Sequence, residues 1–355
     1  MPALWRESRD EILSETFREI SLFNHAMNIQ DTPLLSIHHL KSHFYTSEGI
    51  LRAVDGVDLD LPPRATFALV GESGCGKSVT ALSILRLIPS PPGRIVEGKI
   101  LFRDKDLLNL NIREMRQIRG NRIAMIFQEP MTSLNPVFPV GNQIAETLHV
   151  HQQMSRKEAW EETVDLLRRV GISSPEGRAR NYPHQLSGGM RQRAMIAMAM
   201  ACRPELLIAD EPTTALDVTI QAQILDLIRG LQDEMGMTVL LITHNFGIVS
   251  ENAKRVAVMY AGKIVEEADT KNLFEDPRHP YTKGLLRSIP RIMDKIKLGR
   301  KKLHEIPGIV PRLTEVVSGC LFARRCSDSR NDCFNLDPVL VEIEEGHRVR
   351  CLRVT

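Results

Sequence analysis

Near-continuous apolar runs of strand length, each closed by turn formers, punctuate the middle of the chain. Ala65-Thr66-Phe67-Ala68-Leu69-Val70 is the first, stopped by the glycine-rich stretch Gly71 to Gly76. Others lie at 122–128, 206–210, 239–243 and 255–260. Runs this short without polar alternation predict strands buried on both faces. Helical patterns fall between them, one at 78–88, ended by Pro89 and the breakers Pro91-Pro92-Gly93, and a mostly helical region over about 140–204. Strands alternating with helices predict an α/β fold with a parallel sheet covered on both faces. Two stretches depart from this pattern. Leu13, Phe17, Ile20 and Met27 recur on one face of an amphipathic helix within residues 1–32, a segment that packs on its own domain or a partner, or precedes the true start at Met27. After Asp276 the periodicity weakens, and Pro277, Pro280, Pro290, Pro307 and Pro311 with the basic run 295–302 predict a loop-rich tail.

Composition narrows the function classes. The 355 residues suggest two to three domains at about 150 residues each. With 43% hydrophobic and 25% charged residues the chain reads as globular, not disordered. A formal charge of +2 and 5% aromatics argue against a nucleic-acid partner, because such binding rests on excess Lys and Arg and on stacking platforms. No apolar stretch approaches the roughly 18 residues that span a bilayer. Arg6, Glu7, Arg9, Asp10 and Glu11 stand where a signal peptide would be apolar, which predicts a cytoplasmic chain.

Chemistry enters at Gly71-Glu72-Ser73-Gly74-Cys75-Gly76-Lys77-Ser78, a G-x-x-x-x-G-K-[ST] stretch between a strand and a helix, with Val79 next in line. Glycines let backbone N–H groups turn inward around phosphate oxygens, and the helix that follows points its positive end at them. Lys77 supplies a point charge to the β and γ phosphates of ATP, and the Ser78 hydroxyl can join a Mg²⁺ shell. Cys75 needs no redox role where a small side chain fits. Leu206-Leu207-Ile208-Ala209-Asp210-Glu211 then ends a buried strand on two carboxylates: Asp210 to hold Mg²⁺, Glu211 to polarise the attacking water. Leu186-Ser187-Gly188-Gly189-Met190 opens a helical run at 190–201, a second anion-binding helix N-terminus far from the first.

Together with Gln128, Asp217 in Thr214-Ala215-Leu216-Asp217, and His244, these motifs resemble an ATP-binding cassette (ABC) ATPase over about residues 34–275. The resemblance implies a P-loop core with a helical subdomain at about 130–204, inside a domain of residues 33–276. It implies that Ser187, Gly188 and Gly189 close on the γ-phosphate held by another subunit's phosphate loop. It further implies that His244 contacts that phosphate and the water, that Gln128 links Mg²⁺ and water to a membrane partner, and that Asp217 couples two sites across a dimer. An aromatic upstream stacks on adenine in this family; Phe44 is the first candidate and Tyr45 the second.

Within the family the chain resembles the ATPase subunits of dipeptide, oligopeptide and nickel importers. The phosphate loop carries this, with Gln128-Glu129-Pro130-Met131-Thr132-Ser133-Leu134-Asn135-Pro136, Tyr182-Pro183-His184-Gln185-Leu186-Ser187-Gly188-Gly189 and Pro277-Arg278-His279-Pro280-Tyr281-Thr282. The last opens a C-terminal extension, residues 277–355. The resemblance implies a homologous second ATPase subunit, two transmembrane permease subunits, an external solute-binding protein and a peripheral place on the cytoplasmic face of the membrane. A DNA-maintenance ATPase would need a long heptad segment between Gln128 and Ser187, which is missing; a scaffold ATPase would leave the extension unexplained. His149 and His151 read as surface residues.

Four of the six cysteines cluster as Cys320-x5-Cys326-x6-Cys333-x17-Cys351. From spacing alone a zinc site and a [4Fe–4S] cluster stand level: there is no C-x2-C knuckle, and Arg324, Arg325 and Arg330 can offset cluster charge. Many members of the importer group share such a set, and the resemblance implies the cluster.

Overall fold

Strands whose residues alternate between two apolar layers form the centre of the molecule in the computed structural model, which describes residues 32–128, 133–214, 217–289, 305–315 and 318–354. The expected N-terminal amphipathic helix and the basic run at 295–302 fall outside these residues, as do positions 129–132 after Gln128. In β7 (Leu206–Asp210) and β8 (Thr238–Thr243), Leu206, Ile208, Leu240 and Ile242 face one core while Leu207, Ala209, Val239 and Leu241 face the other. Side chains alternate across a strand, so continuous apolar runs serve two layers at once. β3 (Thr66–Val70), β6 (Ile123–Ile126) and β9 (Arg255–Tyr260) complete the parallel set, in order β9-β3-β8-β7-β6. All five are the runs the sequence predicts.

A second sheet stands apart from the parallel one. β1 (Leu35–Thr46) lies between β2 (Gly49–Leu61) and β4 (Gly93–Phe102), all antiparallel, with β5 (Lys105–Asp106) at the edge. The helix Lys77–Ile84 lies between the sheets, and its Ser83 Oγ is 2.9 Å from Ser42 Oγ of β1. It stops at Ile84 rather than Ile88: Leu85 caps it and Arg86 turns to positive φ. The helical region comprises Val140–Gln152, Arg156–Arg169, Pro175–Arg178 and Gly188–Met200; the last packs on β6, and Ile144, Leu148, Leu167, Ala194 and Met195 of the region share one buried core with Leu207 and Ala209 of the parallel sheet. Ser155 and Glu158 start the second of these by a reciprocal capping box.

The C-terminal extension is less irregular than its composition suggests. β11 (Val341–Glu344) and β12 (His347–Val349) form a hairpin whose second strand pairs antiparallel with β10 (Lys263–Asp269), carrying the large sheet on to eight strands among the described residues. Glu266 of β10 is fully buried. Its carboxylate accepts hydrogen bonds from the backbone N–H of Arg278 (2.6 Å) and His279 (3.0 Å), and lies 2.9 Å from His347 Nε2. A charge buried that deeply persists only when its lone pairs are satisfied. One acid thus pins the start of the Pro-rich segment and the hairpin to the same strand. His279 in turn caps the helix Pro280–Arg287, its Nδ1 accepting from the Tyr281 N–H at 3.1 Å.

Candidate functional site

The phosphate loop is shaped by what surrounds its glycines. A Cβ at Gly71 would stand 2.2 Å from the Met259 carbonyl, and one at Gly76 would stand 2.2 Å from the Ala53 carbonyl. Gly76 also has φ +111°, a backbone state side chains avoid. The loop is therefore wedged between β9 and β2 with no room for a side chain at either position. Lys77, 5% exposed, donates to the carbonyls of Gly71 and Glu72, both at 2.9 Å. Cys75 is buried beneath, and burial raises its thiol pKa, which leaves it a packing residue.

At the end of β7 two adjacent carboxylates have different environments. Asp210 is buried, and burial followed by the Glu211 charge raises its pKa against the hydrogen bond from Ser78. Its Oδ1 has no hydrogen-bond partner. An orphaned buried carboxylate oxygen beside the Ser78 hydroxyl is the donor set a hard cation such as Mg²⁺ accepts, so these residues fit that ion.

Glu211 sits at the mouth. Its carboxylate is 3.1 Å from His244 Nδ1 and accepts from Gln128 Nε2 (3.0 Å) and Thr214 Oγ1 (2.9 Å). Burial pushes its pKa up, but the bonds from His244 and Thr214 outweigh that and leave the carboxyl below the usual range. Glu211 takes φ +45°, rare for a residue with a Cβ. Backbone strain of this kind is associated with functional sites. The group can orient a water and take up its proton.

The structure thus brings Gln128, Glu211 and His244 together by hydrogen bonds, and Lys77, Ser78 and Asp210 beside them. Ser187, Gly188 and Gly189 make no hydrogen bond with this cluster among the described residues. Ser187 caps the Gly188–Met200 helix, accepting from the Met190 N–H at 3.3 Å, and both Ser187 and Gly188 are exposed. Asp217 caps the next helix, Val218–Met235, by accepting from the Ile220 N–H at 2.9 Å, and Ile220 packs beside Gly189. Phe44 is half-buried on β1 opposite Gly93; Tyr45 is 50% exposed. Val79 packs beside the core under the loop. His149 is exposed, with Nδ1 2.8 Å from the Met154 carbonyl, and His151 is half-buried.

Sequence reasoning passes over several residues that join these parts. Thr214 braces Glu211. Gln192, in the helix behind Ser187, donates to the Pro212 carbonyl at 2.6 Å, tying that helix to the turn after Glu211. Tyr281 and Arg325 reach Glu72 from the extension. Thr214, Tyr281 and Arg325 fall in stretches the sequence singles out, but nothing local there points to Glu72 or Glu211 as their partners.

The cysteines conform only in part to the cluster expectation. Cys320, Cys326, Cys333 and Cys351 all line one small cavity, with His279, Phe322 and Arg353. Burial, then the neighbouring cysteines, raises the pKa of Cys320 to about 11. Among the described residues, however, no three Cys, His, Asp or Glu side chains form a group that could hold a metal ion. The shared cavity is present; a set of closed ligands is not.

Comparison with known proteins accords with the geometry. Residues 54–214 match the family described as ABC transporter, and residues 265–333 match the C-terminal region of oligopeptide/dipeptide transporters. A probable peptide ABC transporter ATP-binding protein of Sinorhizobium fredii is 54% identical over 331 residues, 92% of this chain and 98% of the relative. The oligopeptide transport ATP-binding protein AppD of Bacillus subtilis is 51% identical over 318 residues, 90% of this chain and 96% of the relative. Among solved structures, a dimeric post-hydrolysis state of an ATP-binding cassette bound to ADP and Pi superposes with TM-score 0.60 at 26% identity, covering 66% of this chain and 98% of that one. No helix among the described residues is long and apolar enough to cross a membrane.

Proposed function

Because the chain belongs to the ATP-binding subunits of ABC transporters, in the group of the oligopeptide and dipeptide importers, we propose that, seated on the cytoplasmic face of the membrane, it hydrolyses ATP to energise import of di- or oligopeptides. The observation that carries the reading is the Glu211 carboxylate, held by His244, Gln128 and Thr214 at the end of β7 beside the Lys77 loop. Each residue has a role that its position supports. The loop 71–78, with Val79, cradles the phosphates, Lys77 meets the β and γ oxygens, and Phe44 or Tyr45 stacks on the base. Asp210, Ser78 and Gln128 hold Mg²⁺, which when bound offsets charge on the phosphates. Glu211 orients the attacking water and takes its proton, and His244 steadies that carboxylate and contacts the γ-phosphate.

The exposed Ser187 and Gly188 suit a site closed by a second chain, so the working unit is a dimer with a homologous ATPase whose loop they cover. Asp217, one position before the exposed Val218, couples the two halves. Two permease subunits and an external binding protein complete the assembly, and the segment after Gln128 is the socket for the permeases. We divide the chain accordingly into an N-terminal extension, an ATPase domain at 33–276 and a C-terminal extension at 277–355.

Glu211→Gln tests the motor. ATP affinity is expected to hold while hydrolysis and peptide uptake fall on the order of 100- to 1,000-fold, the loss expected when a general base is removed. Hydrolysis at the parent rate in this variant would refute the assignment. For the cysteines, the common cavity supports a [4Fe–4S] cluster bound by Cys320, Cys326, Cys333 and Cys351. An anaerobic preparation is expected to be brown, with the visible absorbance lost in Cys326→Ser; stoichiometric zinc without iron would replace that reading.

A further inference from the structure

The Arg325 guanidinium is fully occupied, and the group it serves best is in the phosphate loop. Nη1 donates to Glu72 Oε2 (2.8 Å) and lies 3.4 Å from Tyr260 Oη; Nη2 donates to Glu72 Oε1 (3.1 Å) and lies 3.4 Å from the Ile306 carbonyl. Nε donates to the Pro307 carbonyl at 3.0 Å. All five N–H groups are thus used, two of them in a parallel fork on one carboxylate. The side chain is 5% exposed and seated near the rings of Tyr260 and Phe322. A second contact grips the same loop residue: the Glu72 backbone N–H donates to Tyr281 Oη at 3.1 Å. Arg325 precedes Cys326 and Tyr281 opens the extension's helix, so both grips come from outside the ATPase domain.

The geometry points to Arg325 as a positioning residue of the ATP site: it neutralises Glu72, holds it turned to the C-terminal extension, and so keeps the phosphate loop receptive to a polyanion. An unpaired carboxylate in a loop that receives a triphosphate opposes it by direct repulsion. Because Arg325 also fastens Ile306 and Pro307, the seating of the extension is felt in the loop. The inference rests on the reading that residues 71–78 bind ATP.

ATP affinity of the full-length chain, measured by displacement of a fluorescent ATP analogue, tests it. Arg325→Met is expected to weaken ATP about 10-fold or more, with the loss smaller in high salt. Adding Glu72→Gln to that variant is expected to restore affinity to within about threefold of the parent, because the uncompensated charge is gone. A merely structural arginine predicts the opposite, a double variant at least as weak as the single. Arg325→Lys keeps the charge without the fork and should be intermediate; it also serves if Arg325→Met does not fold. Lys77→Ala is the control for the premise: if it still binds ATP, the loop assignment fails, whatever Arg325 does. Given a valid premise, unchanged affinity in Arg325→Met, or no recovery in the double variant, overturns the proposal. If only the lysine variant folds, recovery of its lost affinity by Glu72→Gln is expected, and no recovery overturns the proposal.

Discussion

The phosphate loop and the four-cysteine cavity both rely on irregular backbone, yet they are secured in opposite ways. The loop hangs between a central strand and its following helix, and its walls are backbone: the carbonyls of Met259 and Ala53 leave no space at Gly71 and Gly76. Among the described residues the cysteine region has a short hairpin and two single-turn helices, Ala323–Arg325 and Asn331–Phe334, and is fastened by a few distant charged side chains, Glu266 beneath His347 and Arg325 against Glu72. A site made by local backbone is robust to surface change and intolerant of added volume. A region made by single side chains tolerates volume and fails when one charge is lost.

That contrast sets what each substitution should do. Glu266→Ala is expected to cost the most, about 4 kcal/mol in urea unfolding, since it strips a buried network of its acceptor. A loss under about 1 kcal/mol would mean that the hairpin is held by its strand pairing instead. Acidification comes next. Burial lowers the pKa of His279 to about 4; the Glu266 charge and a hydrogen bond at the Arg350 backbone pull it up, and the Arg350 and Lys283 charges push it down. An unfolded histidine titrates near 6.5, so as pH falls the unfolded chain takes up this proton first. The contribution is whole above about pH 6.5 and drains away toward pH 4, a fall of about 3 kcal/mol. Unfolding titrations at pH 7, 6 and 5 read the slope, and His279→Asn should flatten it. Gly76→Ala is the counterpart in the loop. It should weaken ATP on the order of 100-fold, the scale of a displacement near 1 Å in a site, while leaving the pH slope intact. If it lowered stability alone, the loop and the cysteine region would not differ in kind.

Legibility in the sequence follows the same line. The five parallel strands could be read because each run serves two cores, and Lys77, Asp210 and Glu211 because short local spacing fixes their chemistry. The antiparallel sheet left a trace too: Val57-Asp58-Leu59-Asp60-Leu61 alternates buried with polar, a pattern the expectation of a parallel sheet does not use. Arg325 could not be found this way. Its partner stands 253 positions away, and nothing near either residue marks the pair. The cysteine spacing located a shared cavity but not how its walls are held, because that depends on Glu266, an acid buried in a strand paired on both sides.

The pairing of β12 with β10 has an entropic consequence. His347 and Glu266 are 81 positions apart, and closing a loop of that length carries an entropic cost of about 4 kcal/mol on the logarithmic scaling of flexible chains. The five parallel strands can assemble without it. That cost must be met at the seam itself, so the hairpin and the arginine fork, whose partners stand 253 positions apart, join the nucleotide grip to a segment far along the chain through a few buried polar contacts.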